Sequence, residues 1–183
     1  MSIMDTENII LERNVKAFLI PSGDKVTLQK GEPVSITQAL GGSYTVMVNG
    51  NLFKLDGEDA DAIGKKTIQT IVNPSDTKTK EVSEQQVWDQ LKTVYDPEIP
   101  INIVDLGLIY DCKLTKLNMG TRVDIQMTLT APGCGMGPII TAEAKQKTLG
   151  IPGITDVNVE LVWEPLWNRE MMSETALLQL GIL

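Results

Sequence analysis

The chain has 183 residues, 42% of them hydrophobic and 22% charged, with a formal charge of −8, which is the balance of a folded, water-soluble protein of one medium or two small domains. Histidine is absent and cysteine occurs twice, at Cys112 and Cys134, which excludes Ser-His-Asp and Cys-His catalysis, every histidine-containing metal site and a four-cysteine zinc site within one chain. The acidic excess without a Lys/Arg run argues against nucleic acid as a partner, and no apolar run approaches the ~18–20 residues of a membrane span.

The opening MSIMDTENIILERNV carries acids early and lacks a basic stretch followed by an apolar one, so a cytoplasmic location is expected. Up to residue 72 the pattern is β. Val26–Leu28, Val34–Thr37, Tyr44–Val48 and Leu52–Leu55 are short segments separated by turn residues. Asn49-Gly50 between two of them is the strongest two-residue hairpin signal. Gly41-Gly42 reads as a turn rather than a phosphate loop, because no helix with a phosphate-binding lysine follows. A small antiparallel β-barrel or sandwich is expected for residues 1–72. Residues 73–82, NPSDTKTKEV, are polar and aperiodic and read as a linker.

Residues 83–183 alternate helix and strand. Ser83 with Gln86 three residues later forms a capping box, and Val87, Trp88, Leu91, Val94 and Tyr95 recur at helical spacing, predicting a helix from about Glu84 to Tyr95. Leu108, Tyr110, Cys112 and Leu114 alternate with their neighbours, as do Val123, Ile125, Met127 and Leu129, which predicts a hairpin turning at Lys116–Gly120. Gly137-Pro138 opens a second helix that Gly150 and Pro152 close. Val157, Val159, Leu161 and Trp163 suit a third strand, and Ser173 caps a last helix ending near Gly181. The order α-β-β-α-β-α makes this half a two-layer α+β domain.

Cys134 is the focus of the chemistry. In Thr130-Ala131-Pro132-Gly133-Cys134-Gly135-Met136-Gly137-Pro138 the glycines and prolines permit neither strand nor helix before Pro138, so the thiol is expected on a tight loop. Free N–H groups and the positive dipole end of the following helix are expected to favour thiolate, which is both nucleophile and metal ligand. Cys112 shares a strand face with Leu108, Tyr110 and Leu114 and reads as a buried structural thiol. Asp105 lies in Asn102-Ile103-Val104-Asp105-Leu106-Gly107, a loop leading into the strand whose hairpin partner runs up to Cys134, so the two loops are expected at one end of the sheet. Glu98, in Asp96-Pro97-Glu98-Ile99-Pro100, reads as turn chemistry. Trp163, Trp167, Met171 and Met172 suit either a core or a partner-docking lip.

Taken together, Asp96–Pro100, Asn102–Tyr110, Thr128-Leu129-Thr130-Ala131-Pro132-Gly133-Cys134 and Val159–Pro165 strongly resemble the iron–sulphur cluster assembly domain. That domain occurs in bacterial SufT proteins, in phenylacetate-pathway PaaD proteins and in a subunit of the eukaryotic cytosolic targeting complex. The stretches Ile36–Val46 and Asp59–Gly64 look like the extra N-terminal domain of SufT-type proteins. Many relatives carry proline after the cysteine, where this chain has Gly135. The resemblance implies a non-enzymatic accessory factor in iron–sulphur protein maturation, with Cys134 and Asp105 as the functional pair and Cys134 as the metal ligand. It implies the assembly machinery and client apo-proteins as partners.

A cluster held by thiolates wants about four of them. With one exposed thiol, a cluster carried by this chain would be labile and shared across a homodimer or with a client. Two other readings remain open: a thiol oxidoreductase using Cys134 with Cys112 as resolving cysteine, and a metal-free adaptor.

The linker reading is checked by limited proteolysis of the native chain. The first cut is expected within 73–82, where the sequence buries too little apolar surface to order itself. An early cut within 108–130 would instead count against the hairpin.

Overall fold

The computed structural model of the chain describes residues 6–67 and 81–182. It divides into two compact units. The first takes in the described residues up to 67 together with Pro97–Pro100, and the second takes in the rest. Most of the expected linker, residues 73–80, lies outside the described residues.

The first unit is a single six-stranded sheet in the order β1-β4-β5-β6-β2-β3, formed by β1 (Glu7–Ile10), β2 (Val15–Ile20), β3 (Lys25–Leu28), β4 (Pro33–Leu40), β5 (Ser43–Val48) and β6 (Asn51–Asp56). All its pairings are antiparallel. The β5–β6 turn has φ 50° at Asn49 and 82° at Gly50, the positive pair that a twisted two-residue hairpin requires. Val15 and Ala17 of β2, Leu28, Val34, Ile36, Val46, Val48, Phe53 and Leu55 share one core with Ala62 and Ile63 of a 3₁₀ turn, Gly57–Ile63. The sheet is open, with β1 and β3 as its edges, so among the described residues it shows neither the closing pair of a barrel nor the second sheet of a sandwich. β1 and β2 lie outside the segments that the sequence pattern marked as strands.

The second unit runs α1 (Glu84–Leu91), β7 (Ile109–Leu117), β8 (Gly120–Met127), α2 (Gly137–Leu149), β9 (Ile154–Leu161) and α3 (Glu174–Gln179). The capping box at Ser83 is formed in both directions. α1 stops at Leu91, before the expected Tyr95. Val94 N–H bonds the carbonyl of Leu91 and the Thr93 hydroxyl takes that of Gln90 at 2.6 Å, so the chain tightens into a turn. Tyr95 then forms a bridge with Asn102.

The sheet order is β7-β8-β9, with β7 antiparallel and β9 parallel to β8. Val123, Ile125 and Met127 of β8 are fully buried on one face, with Val87 and Leu91 of α1, Ile140 and Ala144 of α2, and Val157 of β9. Arg122, Asp124 and Gln126 alternate with them on the opposite, wetter face, as the two-residue period of a strand demands. β9 ends at Leu161, so Trp163 belongs to the segment that follows the strand.

Ile125→Ala removes a fully buried side chain from the central strand and leaves a void, so the second unit is expected to lose about 2–5 kcal/mol. All three tryptophans lie in that unit, so tryptophan fluorescence during urea unfolding reads its stability separately from the first.

Candidate functional site at the Cys134 loop

Both loops singled out from the sequence leave the three-stranded sheet at the same end. Thr128, the first residue beyond β8, donates its N–H to Leu108 O at 2.8 Å, and Val162, the first beyond β9, donates to Met127 O at 2.8 Å. The Asp105 loop therefore enters β7 beside the point where the Cys134 loop leaves β8.

The Asp105 loop is held from within and from behind. Asn102 Oδ1 accepts from the backbone N–H of Val104 at 3.0 Å and of Asp105 at 2.9 Å, while its Nδ2 donates to the Asp105 carboxylate at 2.6 Å. One buried amide thus closes the turn and fixes the acid above it. Gly107 sits at φ +74°, and a Cβ there would meet Met171 O at 2.2 Å, so glycine is required both by the backbone and by the close approach of the C-terminal segment. That segment adds Ser173 N–H to Asp105 O at 2.8 Å and the Trp167 indole N–H to Leu106 O at 2.7 Å.

Cys134 lies two residues before Met136, the N-cap of α2. It is half-buried among exposed Ala131, Pro132 and Gly133, with buried Met136 and Gly137 behind it. Its own carbonyl accepts the Gly137 N–H at 3.2 Å, and Met136 O accepts from Ile139 and Ile140. These bonds revise the helix-end expectation. Pro138 has no N–H, and the neighbouring donors are spent on closing the turn, so fewer free N–H groups face an anion than the sequence suggested. The dipole of the 13-residue helix remains. The hydroxyl of Thr128, at the root of the loop, is fully buried without a hydrogen-bond partner among the described residues, an arrangement that ordinarily costs about 1–3 kcal/mol.

The structure brings the two loops to one sheet end but joins Asp105 and Cys134 by no hydrogen bond among the described residues; the carboxylate is taken by Asn102 instead. No group of three potential metal-ligating side chains forms among the described residues, so the thiol is one donor and not a cage. The four C-terminal candidates separate. Met172 is buried at 8% exposure and belongs to the core, which corrects its place in a docking lip. Met171 is half-buried and receives the Tyr110 hydroxyl at 3.5 Å, and Trp167 is tethered through its indole. Trp163 and Leu166 are exposed, at 36% and 64%. Sequence reasoning missed Asn102 as the residue that fixes Asp105, although Asn three residues before Asp is a local turn signal. It also missed Tyr110, whose hydroxyl donates to Pro165 O at 2.7 Å across 55 residues of chain.

Cys112 is buried on β7, and its thiol is pushed up from 9.0 to about 11, first by burial and then by the charges of Glu84 and Asp111. At pH 8 its thiolate fraction is on the order of a hundredfold below that of a thiol at its ordinary value. In native protein Cys134 is therefore expected to be alkylated well before Cys112, with the difference lost in urea; peptide mass spectrometry of timed iodoacetamide reactions reads both. Equal native rates would remove the distinction. The same shift sets a stability trend. Below pH 9 both folded and unfolded chains keep the Cys112 proton, but between about 9 and 11 the unfolded chain releases a proton that the folded chain retains, so stability falls as pH rises.

Residues 84–161 match the family model described as iron-sulfur cluster assembly protein. A Porphyromonas gingivalis protein named Fe-S protein maturation auxiliary factor is 43% identical over 101 residues, covering 55% of this chain and 93% of its own. The Bacillus subtilis auxiliary factor YitW is 38% identical over 103 residues, 56% of this chain and 98% of its own. The Staphylococcus aureus auxiliary factor SufT is 43% identical over 89 residues, 49% of this chain and 98% of its own. Each relative is thus matched over nearly its whole length by about half of this chain. The chain belongs to the iron–sulphur cluster assembly protein family.

Proposed function

We propose that this chain is an accessory factor in iron–sulphur protein maturation, acting on clusters or iron as cargo and on client apo-proteins as acceptors. The observation that carries the reading is Cys134: a half-buried thiol on a glycine-rich loop, free of hydrogen bonds among the described residues, at the sheet end shared with Asp105.

A single thiolate fills one coordination position of iron. The remaining positions would come from a client or from a second copy of the chain, and cargo held through so few protein ligands is easily surrendered. Transfer is then ligand exchange: a client thiolate forms its bond to iron as the Cys134 sulphur leaves, with no change in oxidation state. Asp105, fixed by Asn102, would serve as a carboxylate beside the exchange, either ordering the loops or taking a coordination position during hand-over.

The oxidoreductase reading ranks lower because Cys112 is buried and its thiol is raised to about 11, which suits a resolving cysteine poorly. Accessory factors carry the names of the relatives, and an accessory role is what a chain without histidine and with one accessible thiol supports.

The test is client-enzyme activity in a deletion strain carrying Cys134→Ser, Asp105→Asn or both, at matched protein levels. Each single variant is expected to impair the same clients, and the double variant to be little worse than either, the non-additivity of groups acting in one step. Fully additive losses, or a working Asp105→Asn protein, would defeat the shared site. A working Cys134→Ser protein would favour a metal-free adaptor.

A further inference from the structure

The second unit carries an open cleft of about 790 Å³ at the sheet end from which the Cys134 loop leaves. Ile109, Tyr110, Val162, Pro165 and Met171 give it an apolar wall, and Glu164 adds a carboxylate. Gln126 forms its base, on the opposite pleat from buried Ile125 and Met127. In the sheet register Gln126 stands between Asp111 on β7 and Glu160 on β9. Exposed Leu166 follows Pro165 directly.

The charges around this cleft differ from those elsewhere on the same sheet face. Asp124 and Asp156 share Arg122, at 3.0 and 3.4 Å. Asp111, Glu160 and Glu164 are all exposed, and among the described residues none of them has an ion-pair partner. An apolar wall rimmed by uncompensated carboxylates favours a cation-bearing partner with an apolar anchor. A second copy of this chain, at net charge −8, would bring like charge against like.

We propose that this cleft docks a short segment of a client protein in which an aliphatic or aromatic anchor is flanked by lysine or arginine. The anchor rests on the Tyr110–Val162–Met171 wall and the flanking cations meet Asp111, Glu160 and Glu164. A client so docked lies at the sheet end that carries Cys134. The identification of the partner as a client rests on the maturation reading; the chemistry of the docked segment does not.

The test uses a phage-displayed library of random peptides selected on the full chain, followed by fluorescence anisotropy with a labelled synthetic copy of the enriched sequence. Enrichment of Lys/Arg around an apolar centre is expected, with binding that weakens as salt is raised. Glu160→Lys combined with Glu164→Lys should weaken that peptide by about tenfold or more, by placing like charges against its cations. Asp89→Lys, on the exposed side of α1, and Cys134→Ser should bind it as the unaltered chain does. No enrichment, enrichment of neutral or acidic sequences, or an unchanged affinity in the doubly substituted chain would overturn the proposal. A dimer in sedimentation that disperses on the same double substitution would give the cleft to a second copy and overturn it equally. Failure of docking while maturation still depends on Cys134 would sink this inference alone. Intact docking with a fully competent Cys134→Ser protein would sink the thiol reading alone.

Discussion

Parallel pairing of β8 with β9 is the constraint on which the second unit depends. Two strands running the same way cannot be joined by a tight turn, because the end of one lies a full strand length from the start of the next. The register from Thr121↔Ile154 to Met127↔Leu161 therefore obliges the chain to travel back along the sheet, and α2 makes that journey packed against β9 and α1. A loop must lie between the carboxyl end of β8 and the amino end of α2, and Cys134 occupies it. Carboxyl ends of strands flanking such a crossover are where open α/β sheets ordinarily receive ligands. The same pairing sets Val162 beside Met127, which carries the last segment of the chain across the end of the sheet and builds the cleft there.

A second requirement is that the acid loop hold its shape without help from the thiol. Asp105 has no cation partner among the described residues. Asn102 supplies the donor that a half-buried carboxylate needs, and its carbonyl oxygen simultaneously satisfies two backbone N–H groups. A single amide therefore settles both the turn and the charge, which leaves the cysteine loop free to differ in conformation without disturbing the aspartate. The two loops share an origin on the sheet and not a mutual bond.

Much of this was legible in the sequence, and the limits of legibility are physical. Period and punctuation reveal local choices: the Ser83 capping box, the Asn49-Gly50 hairpin and the α-β-β-α-β-α order of the second half all rest on residues a few positions apart. The placement of Cys134 between a strand and a helix was legible for the same reason. β2, with buried Val15 and Ala17 but half-buried Phe18 and Leu19 in succession, breaks the alternation that would have marked it, and β1 is an edge strand of four mostly exposed residues. The end of α1 was misread because Val94 and Tyr95 keep the helical spacing although the backbone has already turned. The partners of Trp167 and Tyr110 were not legible: their polar atoms meet carbonyls 61 and 55 residues away, and no local pattern encodes such partners.

The close approach of Gly107 to Met171, with the tethers from Trp167 and Ser173, has a consequence for the order in which the site matures on a growing chain. Synthesis runs from the amino end, so the aspartate loop and then the cysteine loop emerge first, while the residues that clamp the aspartate loop come some sixty positions after it. During that interval the loop has its internal Asn102 turn but lacks its backing. A nascent chain would thus present its thiol before the backbone of the aspartate loop is clamped from behind, and the complete arrangement becomes available only once the Ser173 cap of the third helix is in place.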